Sequence, residues 1–304
     1  MIAHLSRTSR AVYGNAILLL VLTTALWGLN GVVSRTAVGE ISPMSMVTLR
    51  WLVVCALLWL PLRVEMRKYA APLRAHWRFI ALMALCGFTG FTVLFYLAGA
   101  WTSAVNMTLL QSSIPPMVLA GAAIFKGMRV SLRQIFGMAL AIVGVGAIAT
   151  RGELANLGTL AFNVGDLMML AACVLYAAYT VALRGRPPLP ALVFFSGMAL
   201  AAFALSLPFL ATEMVTGHTF WPTPKGWWLM IFVALGPSLA SQVFFMRAVE
   251  LIGPSRAGVF SNLTPLFGAL FAISLLGEPF HFYHAEALAL GLGGIALAES
   301  GARS

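Results

Sequence analysis

The stretch LLQSSIPPMVLAGAAIFKGM, residues 109–128, is apolar enough to lie in a membrane, yet it carries Gln111, Ser112, Ser113 and the pair Pro115-Pro116 near its start. A second stretch, VFSNLTPLFGALFAISLLGE at residues 259–278, repeats the design, with Ser261, Asn262 and Pro265 at its head. Lipid offers a backbone no hydrogen bonds, so a proline that removes a donor and bends a helix at depth is tolerated only against protein or a water-filled cavity. Gln111, Ser112 and Pro115 are therefore expected to line a polar path with Ser261, Asn262 and Pro265. The alternative is that the prolines only bend packed helices while Ser and Asn bond to neighbouring helices.

Working outward, composition sets the class. Hydrophobic residues make up 61% of the 304 and charged residues 9%, against about a quarter charged in soluble domains. About ten stretches reach the roughly 20 apolar residues that cross a bilayer. They fall near residues 12–34, 44–62, 77–98, 103–125, 131–150, 165–184, 190–211, 226–247, 256–276 and 282–299. Alternating strand patterns are missing, so the expectation is an all-α membrane protein. Arg7 and Arg10 precede the first apolar run as in a leader, but no small-residue cleavage site follows, and the segment reads as a retained span. With the N-terminus placed in the cytoplasm, the basic residues collect on that side except Arg35, Arg151 and Lys225 outside and Arg50 within a span. That is the positive-inside pattern, with both termini cytoplasmic in a bacterial inner membrane. The net charge of +10 is then a matter of topology, and no nucleic-acid partner is expected. Cys55, Cys86 and Cys173 sit within apolar spans without metal or redox spacing.

Sliding the chain along itself aligns Trp77 with Trp227, Pro115 with Pro265, Gly127 with Gly277 and Gly144 with Gly294; one residue less aligns Arg35 with Arg184 and sets Trp27 opposite Tyr176. Residues 1–150 and 151–304 thus read as two five-helix repeats. An odd number of spans makes the second repeat inverted, as in secondary transporters whose site lies where interrupted helices meet at the midplane. The expected helix breaks are Gly87, Pro115 and Pro116 in the first repeat and Pro237 and Pro265 in the second. Gly137, Ala141 and Gly144, with Ala287, Gly291 and Gly294, put small residues at helical spacing. Spans five and ten are therefore expected to form packing or dimer surfaces, not cavity walls.

The segments ALWGLNGVVSR (25–35) and VLYAAYTVALR (174–184), the run Met46, Thr48, Leu49, Arg50, Trp51, and GPSRAGVFSNLTPLFGALFAISLLGE (253–278) resemble the drug/metabolite transporter superfamily of the EamA type. The resemblance spans nearly the whole chain. It implies ten transmembrane helices and export of small polar or amphipathic metabolites by alternating access; the nearest likeness is to bacterial exporters of aromatic amino acids. Met128 stands where the second half has Glu278, so any role of that acid is asymmetric.

Binding pockets are mostly apolar with a few orienting polar groups. The candidates are Trp27, Asn30, Arg50, Phe91, Tyr96, Gln111, Ser112, Tyr176, Tyr179, Gln242 and Asn262. Rings would stack on an apolar side chain while amides meet ammonium and carboxylate. Arg50 lies well inside span two and has three readings: it attracts a substrate carboxylate, pairs with Glu278, or snorkels to the interface. No carboxylate or histidine is expected at the midplane, which favours facilitated export over proton coupling.

Enzyme signatures such as His-Glu-x-x-His, Gly-x-Ser-x-Gly and Walker A do not occur. No catalytic residue, cofactor or metal is expected, although Glu278, His281 and His284 have helical spacing that could hold an ion. The expected partners are a small-molecule substrate and the lipid bilayer, with the chain a monomer or dimer. A scaffold, a channel and an intramembrane enzyme are the competing readings.

Overall fold

The computed structural model describes residues 13–127, 130–150, 163–253, 256–257 and 260–300. Arg7, Arg10, Met128 and Arg151 lie outside them. Among the described residues the chain is helical, without strands. In chain order the helices are α1 (Ala16–Thr36), α2 (Pro43–Lys68), a short connecting helix (Ala70–Ala75), α3 (Trp77–Ala98), α4a (Ala104–Leu110), α4b (Ile114–Lys126), α5 (Leu132–Thr150), α6 (Val164–Ala182), α7 (Ala191–Val215), α8 (Pro224–Ile252), α9 (Leu263–Leu276) and α10 (Phe282–Ser300). Seven of these units, α1, α2, α3, α4a with α4b, α6, α7 and α8, are long and apolar enough to cross a membrane by length and composition. The apolar helices of α5, α9 and α10 are shorter.

Each start has a local cause. Asn15 accepts from the Leu18 N–H (3.1 Å), and Ser103 accepts from the Asn106 N–H (3.0 Å). Asn163 and Asp166 form a reciprocal capping box on α6. Thr223 caps α8, with Pro224 in its first turn. Such caps satisfy donors that a helix leaves open at its N-terminus. The ends match across the halves. Gly127 closes α4b at φ 63° and Gly277 closes α9 at φ 64°, a left-handed cap that glycine adopts without strain.

Packing follows the same correspondence. α1 lies along α9 and the second part of α8, while α6 lies along α4b and the second part of α3; α2 pairs with α7 and α5 with α10. Exchanging α1 with α6, α3 with α8 and α4 with α9 maps these contacts onto one another. α1 and α9 touch backbone to backbone: a Cβ at Gly28 would sit 2.7 Å from the Gly268 nitrogen. Small residues permit such approach between membrane helices.

The glycines of α5 and α10 face each other. A Cβ on Gly294 would meet the Ala141 nitrogen at 3.0 Å, and one on Gly144 would meet the Ala287 carbonyl at the same distance. These faces are therefore occupied within the chain and leave no room for the dimer alternative at these glycines. Large apolar side chains point outward instead, Leu60, Val64, Ile124, Phe125 and Trp228 among them, an arrangement suited to lipid and costly in water.

Candidate functional site

Helix irregularities from both halves converge on one central cavity, part of it open to the outside. Between α4a and α4b the chain tightens into a 3-10 turn, Gln111–Ser113, and α4b restarts with the prolines in its first turn. Prolines at Pro115 and Pro116 cannot donate to the preceding turn, so nearby carbonyls need other donors. The Gln111 carbonyl accepts from the Ile114 N–H instead, and the serines bond back to the turn before, Ser112 Oγ donating to the Leu109 carbonyl (2.5 Å) and Ser113 Oγ to the Leu110 carbonyl (2.7 Å). The Cys173 thiol of α6 reaches the Leu110 carbonyl at 3.6 Å. In the second half Ser261 and Asn262 form a turn before α9, which shortens the expected 256–276 span to a 14-residue rod.

Gly87 and Pro237 act differently from the expected breaks. α3 and α8 run through them without interruption but widen into π-turns, Leu85–Gly90 and Ala234–Ala240. Such insertions are rare and frequent at functional sites. Ser238 Oγ donates to the Val233 carbonyl at 2.7 Å, five residues back, and the Ser241 hydroxyl donates to the Pro237 carbonyl.

The lining includes Trp27, Asn30, Arg50, Phe91, Gln111, Ser112, Tyr176, Gln242 and Asn262 of the sequence candidates, together with Gly87, Pro115, Pro237, Ser261 and Pro265. Trp27 and Tyr176, at matching positions in the two halves, both contribute. Trp27 packs on Phe245 of α8 (5.6 Å between rings) and Tyr176 on Phe91 of α3 (5.3 Å). Tyr96, Tyr179 and Pro116 are not in the lining. Tyr179 stands behind it, its ring against Gly87, Phe88 and Tyr176.

Sequence reasoning missed Trp51 and Phe88. They stack almost parallel, 4.6 Å apart, and extend the aromatic wall through Tyr179 to Tyr176 and Phe91. Trp51 follows Arg50 and Phe88 lies within the glycine-rich break, so adjacency to features already singled out was the available signal. Ile295 of α10 also lines the cavity. That corrects the assignment of α10 to packing alone: Gly291 comes close against Ser112 and brings the next turn to the cavity edge.

Arg50 is 4% exposed and does not snorkel. Its Nε donates to Ser238 Oγ (2.9 Å) and its Nη1 to the Tyr96 hydroxyl (3.4 Å), which donates to Asn30 Oδ1 (2.8 Å). The guanidinium also lies 5.2 Å from the Trp51 ring centre. The suggested pairing with Glu278 does not occur. Both Glu278 oxygens accept backbone N–H bonds at the start of α4a, from Ala104 and Val105 at 2.9 Å each. A carboxylate suits this place because a helix N-terminus offers unpaired donors and a positive dipole. Burying an ion without a counter-ion costs several kcal/mol, and the partners of Arg50 here are neutral oxygens.

At the metal alternative, Glu278, His281 and His284, hydrogen bonds engage two of the three side chains. The His281 N–H donates to His284 Nδ1 (3.1 Å), leaving Nε2 to donate to Asn106 Oδ1 (3.2 Å). No group of three His, Cys, Asp or Glu suited to a metal occurs among the described residues.

The model of the EamA-like transporter family matches residues 14–150 and again 163–299. The chain belongs to the EamA-like transporter family. Similar proteins agree with this membership. The chain is 24% identical over 250 residues to an uncharacterized transporter of Bacillus subtilis, covering 81% of each. It is 26% identical over 277 residues to an uncharacterized transporter of Archaeoglobus fulgidus, covering 88% of this chain and 91% of that one. It is 30% identical over 210 residues to a probable terminal-alkyne amino-acid exporter of Streptantibioticus cattleyicolor, covering 66% of this chain and 67% of that protein. One solved crystal structure shares the fold with a TM-score of 0.65 at 20% identity, covering 98% of this chain and 99% of that chain. The two matches of the EamA-like model fall on the two halves whose helix contacts interchange.

Proposed function

We propose that this EamA-like protein is a secondary transporter of a bacterial inner membrane, exporting small amphipathic metabolites by alternating access, with amino acids, aromatic ones foremost, as the leading substrates. In this reading α1–α5 and α6–α10 form two inverted repeats, residues 1–150 and 151–304, which cross the membrane ten times with both termini cytoplasmic. The observation that carries it is the convergence of irregular helices from both halves, the Gln111–Ser113 turn, the Ser261-Asn262 turn and the two π-turns, on one cavity walled by aromatic rings and amides. A scaffold has no use for a polar centre. Discontinuous helices meeting at mid-depth suit a site alternately exposed to the two sides.

The amino-acid part of the proposal draws on the printed role of the Streptantibioticus relative and on the rings of Trp27, Tyr176 and Phe91. Trp27, Phe91 and Tyr176 would hold the apolar body, Gln111, Gln242 and Asn262 the polar groups, and Arg50 an acidic group. The chain would work as a monomer or as a dimer formed elsewhere than at the glycine faces of α5 and α10, which close on each other.

The test is counterflow in proteoliposomes. Vesicles preloaded with unlabelled phenylalanine or tryptophan are expected to show saturable, trans-stimulated uptake of the labelled compound, abolished by Tyr176→Ala. Linear uptake without trans-stimulation would indicate a channel, and no uptake would refute transport of these compounds.

A further inference from the structure

The cavity lining carries one positive charge and no negative one. Arg50 supplies it, and its guanidinium keeps its proton in proteins. Two of its nitrogens are engaged by neutral oxygens, Ser238 Oγ and the Tyr96 hydroxyl, which orient the fork without neutralising it. The ion pairs among the described residues join Lys225 to Glu40 and Arg247 to Glu250, both remote from it.

The next residue adds a second observation. Trp51 is 2% exposed, and its indole N–H, a donor only, is buried with no acceptor. Its ring stacks on Phe88 and lies 5.2 Å from the Arg50 guanidinium. Thr264 of α9, also in the lining, has a buried hydroxyl without a partner. An uncompensated cation in a lining that also holds two buried polar groups without partners favours an anionic acceptor there.

Charge then discriminates among ligands of one shape. A monoanion brings the enclosed volume to neutrality, a zwitterion leaves it at one positive charge, and a cation raises it to two. Amide oxygens such as those of Gln111 and Gln242 solvate an ammonium but do not cancel its charge.

We infer that the preferred ligand is a monoanionic carboxylate with an aromatic or bulky apolar body and no free ammonium, such as an arylacetate, a 2-oxo acid or an N-acylated amino acid. Arg50 anchors its carboxylate, the Trp51 N–H reads the same group, and the Trp51–Phe88 wall takes the body. This rests on the reading of the cavity as the site for small amphipathic metabolites, and within that class it ranks acids that lack the amino group above the free amino acids.

Four indole compounds of similar shape separate the possibilities: indole-3-acetate, tryptophan, tryptamine and indole-3-ethanol. Labelled indole-3-acetate is bound to the purified full chain in detergent and displaced by the other three. Tryptophan is expected to compete about tenfold more weakly than unlabelled indole-3-acetate, equivalent to about 1.4 kcal/mol, and tryptamine not measurably. Arg50→Gln is expected to weaken indole-3-acetate at least about tenfold, with indole-3-ethanol changed by less than about twofold. Trp51→Phe keeps the ring and removes the donor; a loss of roughly threefold is expected for the anion only.

Equal competition by indole-3-ethanol or tryptamine overturns the inference, as does undiminished anion binding in both variants. If Arg50→Gln does not fold, the wild-type ranking and Trp51→Phe decide. Anion-selective binding without counterflow of any probe would refute the transporter reading and leave this site standing; tryptophan counterflow without preference for the anion would do the reverse.

Discussion

The two ends of the bundle are built from opposite charges and joined in different ways. At the end where α2, α4a, α6 and α8 begin, acids of one half bind groups of the other. Glu278 caps α4a, Glu213 of α7 accepts the Met44 N–H at the start of α2 (3.1 Å), and Thr102 donates to Asp166 (2.5 Å). Glu40 accepts from the Thr223 hydroxyl and pairs with Lys225 at 3.2 Å. At the opposite end Arg63, Arg74, Arg78, Arg133 and Arg186 are exposed, and Arg247 reaches the Tyr13 carbonyl at 3.4 Å and Glu250 of its own helix at 3.0 Å. Cross-half bonds thus hold the acidic end shut. Among the described residues the basic end has one such link, Arg247 to the Tyr13 carbonyl, and otherwise relies on packing, the property expected of the side on which a rocking bundle opens.

Breaking the closed end at its strongest point gives the largest effect. Glu278→Ala leaves two buried N–H groups without acceptors, at about 1–3 kcal/mol each. A thermal melt in detergent is expected to show clear destabilisation, and a single cysteine at Thr102 should become more reactive to maleimide. Glu278→Gln keeps an acceptor and should show about half the change. Glu213→Ala removes one cap and is expected to cost about 1 kcal/mol, with smaller labelling changes at the same end.

How much of this could be read in the sequence follows from what each feature depends on. The helical class, seven of the apolar spans and the irregular turns before Pro115 and Pro265 were legible, because each is written locally, in apolar length or in a backbone donor that proline lacks. Nine of the eleven site candidates line the cavity, since polar groups at depth must face an interior. The partners of Arg50 and Glu278 were not legible. Depth along a helix says which end a residue is near, but not its rotation about the axis, so Arg50 found Ser238 and Tyr96 while Glu278 found backbone donors. Glu213 escaped for the same reason: its role depends on α2 beginning beside it. The π-turns were read as breaks, because a Gly or Pro marks an irregularity without saying whether the helix stops or widens.

Two smaller effects sharpen the contrast between the ends. Tyr96→Phe removes the hydroxyl between Arg50 and Asn30 and is expected to cost about 1 kcal/mol of stability, read by the same melt, without raising Thr102 reactivity. The Thr223 hydroxyl bond first, and then Lys225, hold the Glu40 carboxyl below its ordinary value of 4.5. A depressed folded-state value means that this link contributes above that pH and is lost as the pH falls through the lower value. Acidification below 4.5 should therefore slightly raise cysteine labelling beside Glu40, and Glu40→Gln should remove that dependence.

The central claim is that the two ends alternate in opening around the cavity. Spin-label distances measure this directly in a protein freed of Cys55, Cys86 and Cys173, with one pair at Ala100 and Thr216 on the acidic end and another at His76 and Arg186 on the basic end. Adding a transported ligand in a bilayer is expected to shift the two distances in opposite directions, the acidic pair separating as the basic pair closes. Distances that stay fixed, or that lengthen together, would contradict the account.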